Sequence, residues 1–238
     1  MTSLQDAEQI FGDFNFTGGF PTSKDLGPSI LFAILYGLSA PVLIWRIFRK
    51  QDRTIIFVRL GLFWLCRMAA LIMRAIMAKN TYGAQETAAE VCFVALGFLF
   101  LLDPFSDLWK RHVDSVVPIS ERPWVLKLAL LAAVATAIAS ACMISGAVYD
   151  PAKVNSLKAL RLSSYALALG VAGLVFVMLV VTHFLYKLDT RRSAYLFFIG
   201  ACLVIVASYR VAQESSNNRN SPARSDVAFW VLQITFEL

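Results

Sequence analysis

The stretch from Leu162 to Thr182 reads LSSYALALGVAGLVFVMLVVT and contains no Lys, Arg, Asp or Glu. A helix needs about 20 apolar residues to cross a hydrocarbon core about 30 Å thick, and this stretch has that length. The run from Leu128 to Tyr149 is equally free of charge, and the run from Pro28 to Trp45 is nearly as long. A soluble protein could bury one such helix, but several in one chain indicate a membrane protein.

The composition of the whole chain agrees with that class. Of its 238 residues, 58% are hydrophobic and only 16% are charged, and the mean hydropathy is +0.64. A soluble domain of this size would need more polar surface. The sequence therefore predicts an all-α polytopic membrane helix bundle without a soluble domain.

Six complete spans and an incomplete seventh are predicted, at about 29–49, 54–78, 86–109, 124–149, 162–187, 193–213 and 225–238. The last one has about 14 residues, which extend about 21 Å at 1.5 Å per residue and fall short of a crossing. We interpret it as a helix cut short. Residues 1–27 are then an extracellular or lumenal tail, and residues 28–238 are the transmembrane domain.

Basic residues predict the orientation of the bundle. The first, third and fifth connections carry ten Lys and Arg, against seven on the opposite side. Because basic residues favour the cytoplasmic side, the N-terminus is expected outside, in the plasma membrane or an endomembrane. The sequon at Asn15 lies in the tail predicted to be outside and is a candidate glycosylation site.

The second span contains three arginines, Arg59, Arg67 and Arg74, which share one face of the helix because their rotations differ by at most about 80°. Each arginine at a helix centre costs about 2.5–3.5 kcal/mol on the insertion scale. Arg59 and Arg74 lie near the helix ends, from which their side chains can extend to the interface. Arg67 lies at mid-span, so we expect it to face the interior and pair with an acidic residue of the third or seventh span.

Depth identifies the partners, because the second and third spans run antiparallel. Arg74 falls at the level of Glu90, and Arg59 at the level of Asp103 or Asp107, while Glu237 falls near Arg67. The predicted intramembrane polar seam comprises Arg59, Arg67, Arg74, Glu90, Asp103, Asp107, Tyr209, Arg210, Glu214 and Glu237. Two interpretations remain open: static pairs that fix helix order, or a seam that lines a headgroup, ion or ligand pathway.

Two further patterns concern helix packing. Small residues repeat every three or four positions in the fourth and fifth spans: Ala129, Ala133, Ala137, Ala141, Ser145, Ala166, Gly170 and Gly173. Such stripes let membrane helices approach closely, within one chain or in an oligomer. The sequence Asp103-Pro104 predicts either a hinge in the third span or an ordinary helix exit.

Catalytic and metal chemistry find little support. The chain has two histidines, His112 in a predicted cytoplasmic connection and His183 near the inner end of the fifth span, too few for a three-histidine site. No P-loop, nucleophile elbow or zinc-protease motif occurs. We therefore predict no enzyme, no metal, no cofactor and no nucleic-acid partner.

Two function classes fit these features. One is a carrier or lipid-handling protein, in which the seam guides a polar headgroup. The other is a receptor or sensor, in which the seam switches between two helix arrangements. Membrane lipids and a small amphipathic ligand are the expected partners.

The end of the sixth span contains a sequence motif that resembles one in known membrane proteins. Ser208-Tyr209-Arg210-Val211-Ala212 is followed by Glu214 and, in the next helix, by Glu237. This arrangement resembles the fungal lipid-translocating exporter family, linked to resistance against aminocholesterol-type toxins. In that family a Tyr-Arg-Val-x-Glu pattern ends the sixth helix and a glutamate follows in the seventh; here the first acidic residue comes one position later.

The first span, with LYGLSAPVLIWRIFR over 35–49, and the arginine-rich second span are similar to uncharacterised fungal membrane proteins of the same layout. The two resemblances together imply a seven-helix membrane protein of fungal origin, located at the cell surface or in an endomembrane.

Overall fold

The computed structural model describes residues 19–49, 55–117, 123–147, 154–216 and 221–238. No strand occurs within these ranges. The long helices, in chain order, are α1 (Leu26–Phe48), α2 (Ile55–Lys79), α3 (Ala84–Asp114), α4 (Trp124–Ala147), α5 (Val154–Tyr186) and α6 (Thr190–Ser215). A short apolar helix, α7 (Asp226–Thr235), follows. The predicted all-α membrane bundle, with six complete spans and a short seventh, is confirmed.

All six long helices are long and apolar enough to cross a bilayer. Their outward surfaces are also apolar, and large side chains such as Leu38 and Phe48 of α1 and Phe184 of α5 are mostly exposed. Apolar surface on this scale is unfavourable in water and suits a hydrocarbon environment. The chain is an integral membrane protein.

Successive helices pack against one another and alternate in direction. We call the side on which α1 begins the near side and the side on which α1 ends the far side. The helix α3 lies at the centre of the bundle, since it contacts α2, α4, α5 and α6. Over half of its most apolar window is buried, against 6% for α1. Side chains of α3 are therefore placed to meet those of most other helices.

The largest apolar core lies between α3, α5 and α6. Phe98, Leu102 and Phe105 of α3 pack there with Val175 of α5 and Val206 of α6. Their buried surfaces follow the spacing of three or four residues that one face of a helix requires. This core fixes α6, and with it Arg210, against α3.

The helix α6 approaches its neighbours closely at Gly200. A Cβ atom there would lie 2.7 Å from Cδ2 of Phe176 and 2.8 Å from Cζ of Phe105. Glycine is needed at this position because any side chain would displace one of these two aromatic rings.

The small-residue stripes differ in their surroundings. Ala133 and Ala137 of α4 are buried, as a packing interface within one chain requires. Ala166 and Gly170 of α5 are exposed, so the second stripe faces away from the rest of the chain.

Two expectations about α3 are wrong. The helix continues through Pro104 to Asp114, so Asp103-Pro104 is not a helix exit, and His112 lies in the last turn of α3 rather than in a connection. The physical reason is that the buried face continues beyond the proline, with Trp109 and Val113 in the core. The indole of Trp109 also donates to Oγ1 of Thr182 on α5, at 3.2 Å. Neighbouring helices thus support the turns that follow the proline.

The fifth helix begins earlier than predicted, at Val154 instead of about residue 162. Leu157, Arg161, Ser164 and Ala168 are all buried, at intervals of four, three and four residues. One face of α5 is therefore continuous through its first turns, and it carries Arg161 into the bundle.

The short helix α7 is mostly a π-helix, which covers Phe229–Thr235. The hydroxyl of Thr235 donates to the carbonyl of Trp230, five residues earlier, at 2.9 Å. Phe229, Trp230, Gln233 and Ile234 are buried on one side of this helix. Wide turns of this type are rare and are frequent at functional sites.

Candidate functional site

Polar side chains form three clusters along α2, one at each of its arginines. Arg59, Arg67 and Arg74 point towards α3 and α7, as their common helix face predicts. Arg67 and Arg74 are 0% and 1% exposed. Neither of these two side chains therefore extends to the interface.

The near-side cluster comprises Asp25, Arg74 and Glu90. Nη1 of Arg74 lies 2.8 Å from Oε1 of Glu90, and its Nη2 lies 3.4 Å from Oδ1 of Asp25. The pair with Glu90 is the one that depth predicts. Asp25 is a partner that the sequence did not suggest, because it precedes α1 and lies outside every predicted span.

The near-side cluster is also tied to α7. The indole N–H of Trp230 donates to Oδ1 of Asp25 at 3.1 Å, and the backbone N–H of Thr22 donates to Oδ2 at 2.9 Å. The rings of Phe229 and Trp230 lie 4.9 and 5.7 Å from the guanidinium of Arg74. The segment before α1 and the start of α7 thus close the bundle over Arg74.

The central cluster comprises Arg67, Arg210 and Glu237. Nε of Arg67 lies 2.5 Å from Oε2 of Glu237, and Nη2 of Arg210 lies 3.1 Å from Oε1 of the same carboxylate. All three side chains are at most 1% exposed. Arg67 is twelve residues from each end of α2, which corresponds to about 18 Å on either side. A single carboxylate therefore joins α2, α6 and α7 inside the bundle.

A backbone carbonyl completes the central cluster. Nη1 of Arg67 and Nη2 of Arg210 each donate to the carbonyl of Val94 on α3 at 3.0 Å. Gly97, one turn further along α3, makes room for this contact, because a Cβ there would lie 3.3 Å from Nη1 of Arg67. That the two arginines share an acceptor could not be predicted from the sequence, because the contact depends on how closely α2 and α6 approach α3.

The far-side cluster comprises Arg59, Asp103 and Asp107. Nη1 of Arg59 lies 3.1 Å from Oδ2 of Asp107 and also pairs with Asp103. Depth places Arg59 beside either carboxylate, and the structure contains both pairs. These side chains are 20–30% exposed, so this cluster is less shielded than the other two.

A further buried ion pair lies away from the arginines of α2. Nη2 of Arg161 on α5 lies 3.3 Å from Oε2 of Glu214 on α6, and it also donates to the hydroxyl of Tyr165 at 3.2 Å. Sequence reasoning counted Arg161 among the residues of a connection and missed this pair. The spacing of Leu157, Arg161 and Ser164 could have revealed it, because it continues the buried face of α5 towards the near side.

The central cluster carries an excess of positive charge. Among the ion pairs of the described residues, it has two guanidinium groups and one carboxylate, whereas the near-side and far-side clusters each pair one guanidinium with two carboxylates. A buried charge without full compensation costs several kcal/mol. This imbalance separates the central cluster from the ordinary buried ion pair of Arg161 with Glu214.

Several polar atoms around the central cluster have no hydrogen-bond partner among the described residues. They include Nη2 of Arg67, Nε of Arg210, the hydroxyl of Tyr36 and both polar atoms of the Gln233 amide. All four side chains are buried. Leaving such a group unsatisfied costs about 1–3 kcal/mol, and more when the group is charged. The two arginines of the cluster therefore each have a buried donor that lacks an acceptor among the described residues.

An apolar cavity of about 290 Å³ adjoins the central cluster on its far side. Glu237 lies at its edge, and its wall includes Leu60 of α2, Leu101 and Phe105 of α3 and Leu203 of α6. A second, larger groove of about 580 Å³ runs between α2, α3 and α4, and its lining includes Arg59 and Asp103. Both spaces combine apolar walls with at least one ionic side chain.

The remaining predicted site residues are placed as follows. Tyr209 is buried, and its hydroxyl has no hydrogen-bond partner among the described residues. Asn15 lies outside the residues that the structure describes. His112 and His183 both contact Oγ of Ser193, each at 2.8 Å, near the far side. Within the described ranges, no three His, Cys, Asp or Glu side chains form a group that could hold a metal ion.

No family model, no curated protein and no solved structure matches the chain. Its function has to be inferred from the clusters themselves.

Proposed function

We propose that this membrane protein is a carrier that moves an amphiphile between the two leaflets, with the central cluster as the binding site of the headgroup. The single observation that supports this most is the group formed by Arg67, Arg210 and Glu237, which is buried and not neutral. Ionisable groups within spans are costly, face the interior and commonly mark a pathway.

The arrangement of the clusters along α2 supports the same proposal. Arg59 and Arg67 are eight residues apart and Arg67 and Arg74 are seven apart, which correspond to about 12 and 10.5 Å along the axis. Polar groups thus recur through the thickness of the bundle. A headgroup that crosses here exchanges one cluster for the next instead of entering hydrocarbon.

The apolar spaces suit the chain of such a ligand. The groove beside Arg59 and Asp103 is lined by Ile55, Leu131 and Ile138, which are all exposed. An acyl chain can remain in the groove and in the surrounding lipid while its headgroup contacts the ionic side chains.

The experiment is a translocation assay with purified protein in lipid vesicles, in which fluorescent lipid analogues become accessible to an external quencher as they change leaflet. We expect the wild-type protein to accelerate translocation. The triple variant Arg67→Leu, Arg210→Leu, Glu237→Leu should insert in equal amounts and lose this activity, because apolar replacement of a whole buried ionic group is often tolerated by the fold.

A matched control is Arg192→Leu, which removes an exposed arginine of α6 whose ion pair with Asp189 is at the surface. It should retain full activity. Full activity of the triple variant would show that the cluster only fixes helix order, and a wild-type protein that moves no analogue would refute the carrier.

A sensor is the second candidate, and the π-helix of α7 favours it. Glu237, which joins α2 to α6, comes two residues after that π-helix. If Phe229–Thr235 rewound as an α-helix, Glu237 would rotate about the axis of α7 and leave its arginines. Ligand binding without translocation, together with a change in the exposure of α7 to hydrogen exchange, would support this function.

A further inference from the structure

We propose that the central cluster binds a singly charged oxyanion that is carried on an apolar chain. This inference rests on the proposed function, since it names the class of amphiphile that the site takes. Long-chain carboxylates and the phosphodiesters of single-chain lipids both have this chemistry, and the experiment below distinguishes them.

The net positive charge of the central cluster favours an anionic ligand. Arg67 and Arg210 share Glu237 as their only ion-pair partner within the described part of the chain. Arg161, which contacts the same Tyr165 ring as Arg210, is itself paired with Glu214. One added negative charge would balance the central cluster, whereas a cation would increase its excess.

The unsatisfied hydrogen-bond donors of the central cluster also favour an oxyanion. Nη2 of Arg67 and Nε of Arg210 are buried donors without an acceptor among the described residues. A carboxylate or phosphodiester accepts several hydrogen bonds and donates none. Charge-assisted bonds from guanidinium groups to such oxygens are the strong ones. An oxyanion therefore supplies the acceptors that these two buried N–H groups lack.

Two neutral side chains extend the same site. Tyr36 packs edge-on against Phe63 at 6.1 Å, and the Phe63 ring lies 5.3 Å from the guanidinium of Arg67. Gln233 lies four residues before Glu237, on the same side of α7. The Tyr36 hydroxyl and the Gln233 amide are both buried without a hydrogen-bond partner in the described ranges, so each has a donor left for an oxyanion.

The cavity beside Glu237 is the expected binding site for the apolar chain of the ligand. Its wall includes Leu60, Leu101, Phe105 and Leu203. Burying a hydrocarbon chain against these side chains is favourable, because apolar surface is removed from water. A ligand oriented in this way places its oxyanion at the arginines and its chain in the cavity.

The test measures binding separately from translocation. Purified protein in a neutral detergent is titrated with three radiolabelled ligands of equal chain length: a fatty acid, a lysophosphatidylglycerol and an alkylamine. We expect the fatty acid or the lysophosphatidylglycerol to bind, and the one that binds more tightly identifies the source of the oxyanion. The alkylamine should bind at least about ten-fold more weakly, because it lacks an acceptor and adds charge.

The decisive variant is Arg210→Met, which leaves the neutral pair of Arg67 with Glu237 and removes the excess charge. It should weaken anion binding by about ten- to a hundred-fold, as expected for the loss of a charge-assisted hydrogen bond. Arg210→Lys should restore part of the affinity. The control Arg192→Met makes the same substitution at the exposed end of α6 and should bind as the wild-type protein does.

Three outcomes would overturn the inference: equal binding of the amine, unchanged anion affinity in Arg210→Met, or no binding of either anion by the folded wild-type protein. If Arg210→Met does not fold, Gln233→Leu takes its place, since it removes a donor without altering charge and should weaken binding several-fold. Translocation of an amine without anion binding would support the carrier function and refute the anion site. Anion binding without translocation would support the anion site and refute the carrier function.

Discussion

Arg59 and Arg67 lie on one face of α2, eight residues apart, yet they are held in different ways. The Arg59 side chain is 30% exposed and pairs with two carboxylates, Asp103 and Asp107. The Arg67 side chain is fully buried and shares one carboxylate, Glu237, with a second arginine. The same residue type on the same helix therefore has a surplus of anions at the far side and a shortage at the centre.

The difference shows that depth decides what an ionic contact contributes. A partly exposed pair is screened and is stabilising by about 0–1 kcal/mol. A buried pair contributes little as a whole, but removing one partner leaves an uncompensated charge and costs about 3–5 kcal/mol. Substitutions at the far-side and central clusters should therefore distinguish a partly exposed ion pair from a buried one by their effect on stability.

The largest effect is expected for Glu237→Leu. Among the described residues, this change leaves the carbonyl of Val94 as the one hydrogen-bond acceptor that Arg67 and Arg210 still share, and it removes their carboxylate. It should destabilise the protein by about 3–5 kcal/mol. Thermal unfolding of the protein in detergent measures the loss. A midpoint equal to that of the wild-type protein would mean that the two arginines find another anion.

The second-largest effect is the recovery of stability when the two arginines are also replaced. Adding Arg67→Leu and Arg210→Leu to Glu237→Leu should restore most of the lost stability, because the entire buried ionic group is then apolar. Comparing the unfolding midpoints of the single and triple variants in the same detergent measures the coupling free energy between Glu237 and the two arginines. If the triple variant is less stable than Glu237→Leu, the arginines stabilise the bundle through contacts other than this carboxylate.

A smaller effect is expected for Gly97→Ala. The added methyl group would lie 3.3 Å from Nη1 of Arg67 and 3.3 Å from Cβ of Cys66, and overpacking of this kind costs about 1–3 kcal/mol. Gly170→Ala is the matched control, since its Cβ would meet nothing within 4 Å. Equal unfolding midpoints for the two variants would argue against a close approach of α2 to α3.

The smallest effect is expected at the far side. Asp107→Asn leaves Arg59 paired with Asp103 and should change stability by less than about 1 kcal/mol, as is usual for exposed pairs. Added salt should reduce even this difference, because partly exposed charges are screened. A loss comparable with that of Glu237→Leu would show that the far-side cluster is shielded from solvent in the membrane.

Much of the seam could be predicted because depth is a one-dimensional property of the sequence. Counting residues along antiparallel helices places Arg74 beside Glu90 and brings Glu237 to the level of Arg67, and the structure contains both pairs. Hydropathy likewise gives the number of spans. These are properties that each helix has by itself.

The rest depends on how the helices are arranged around α3. That Arg210 shares both Glu237 and the Val94 carbonyl with Arg67 follows from the packing of α6, which no count along the chain reveals. The pair of Arg161 with Glu214 was missed because the uncharged run that marks the fifth span begins after Arg161. Asp25 was missed because it lies ahead of the first apolar run.

The order in which the chain is made gives the contact between Arg67 and Glu237 another consequence. The two residues are 170 positions apart, so a ribosome that adds about 5–20 residues per second completes Glu237 roughly 9–34 s after Arg67. During that interval α2 enters the membrane with an arginine whose carboxylate does not yet exist. Its aliphatic residues have to outweigh the insertion penalty of about 2.5–3.5 kcal/mol unaided. The synthesis of α7 and Glu237 thus ends the period in which Arg67 of α2 has no carboxylate partner, and this delay in biogenesis leaves no trace in the folded protein.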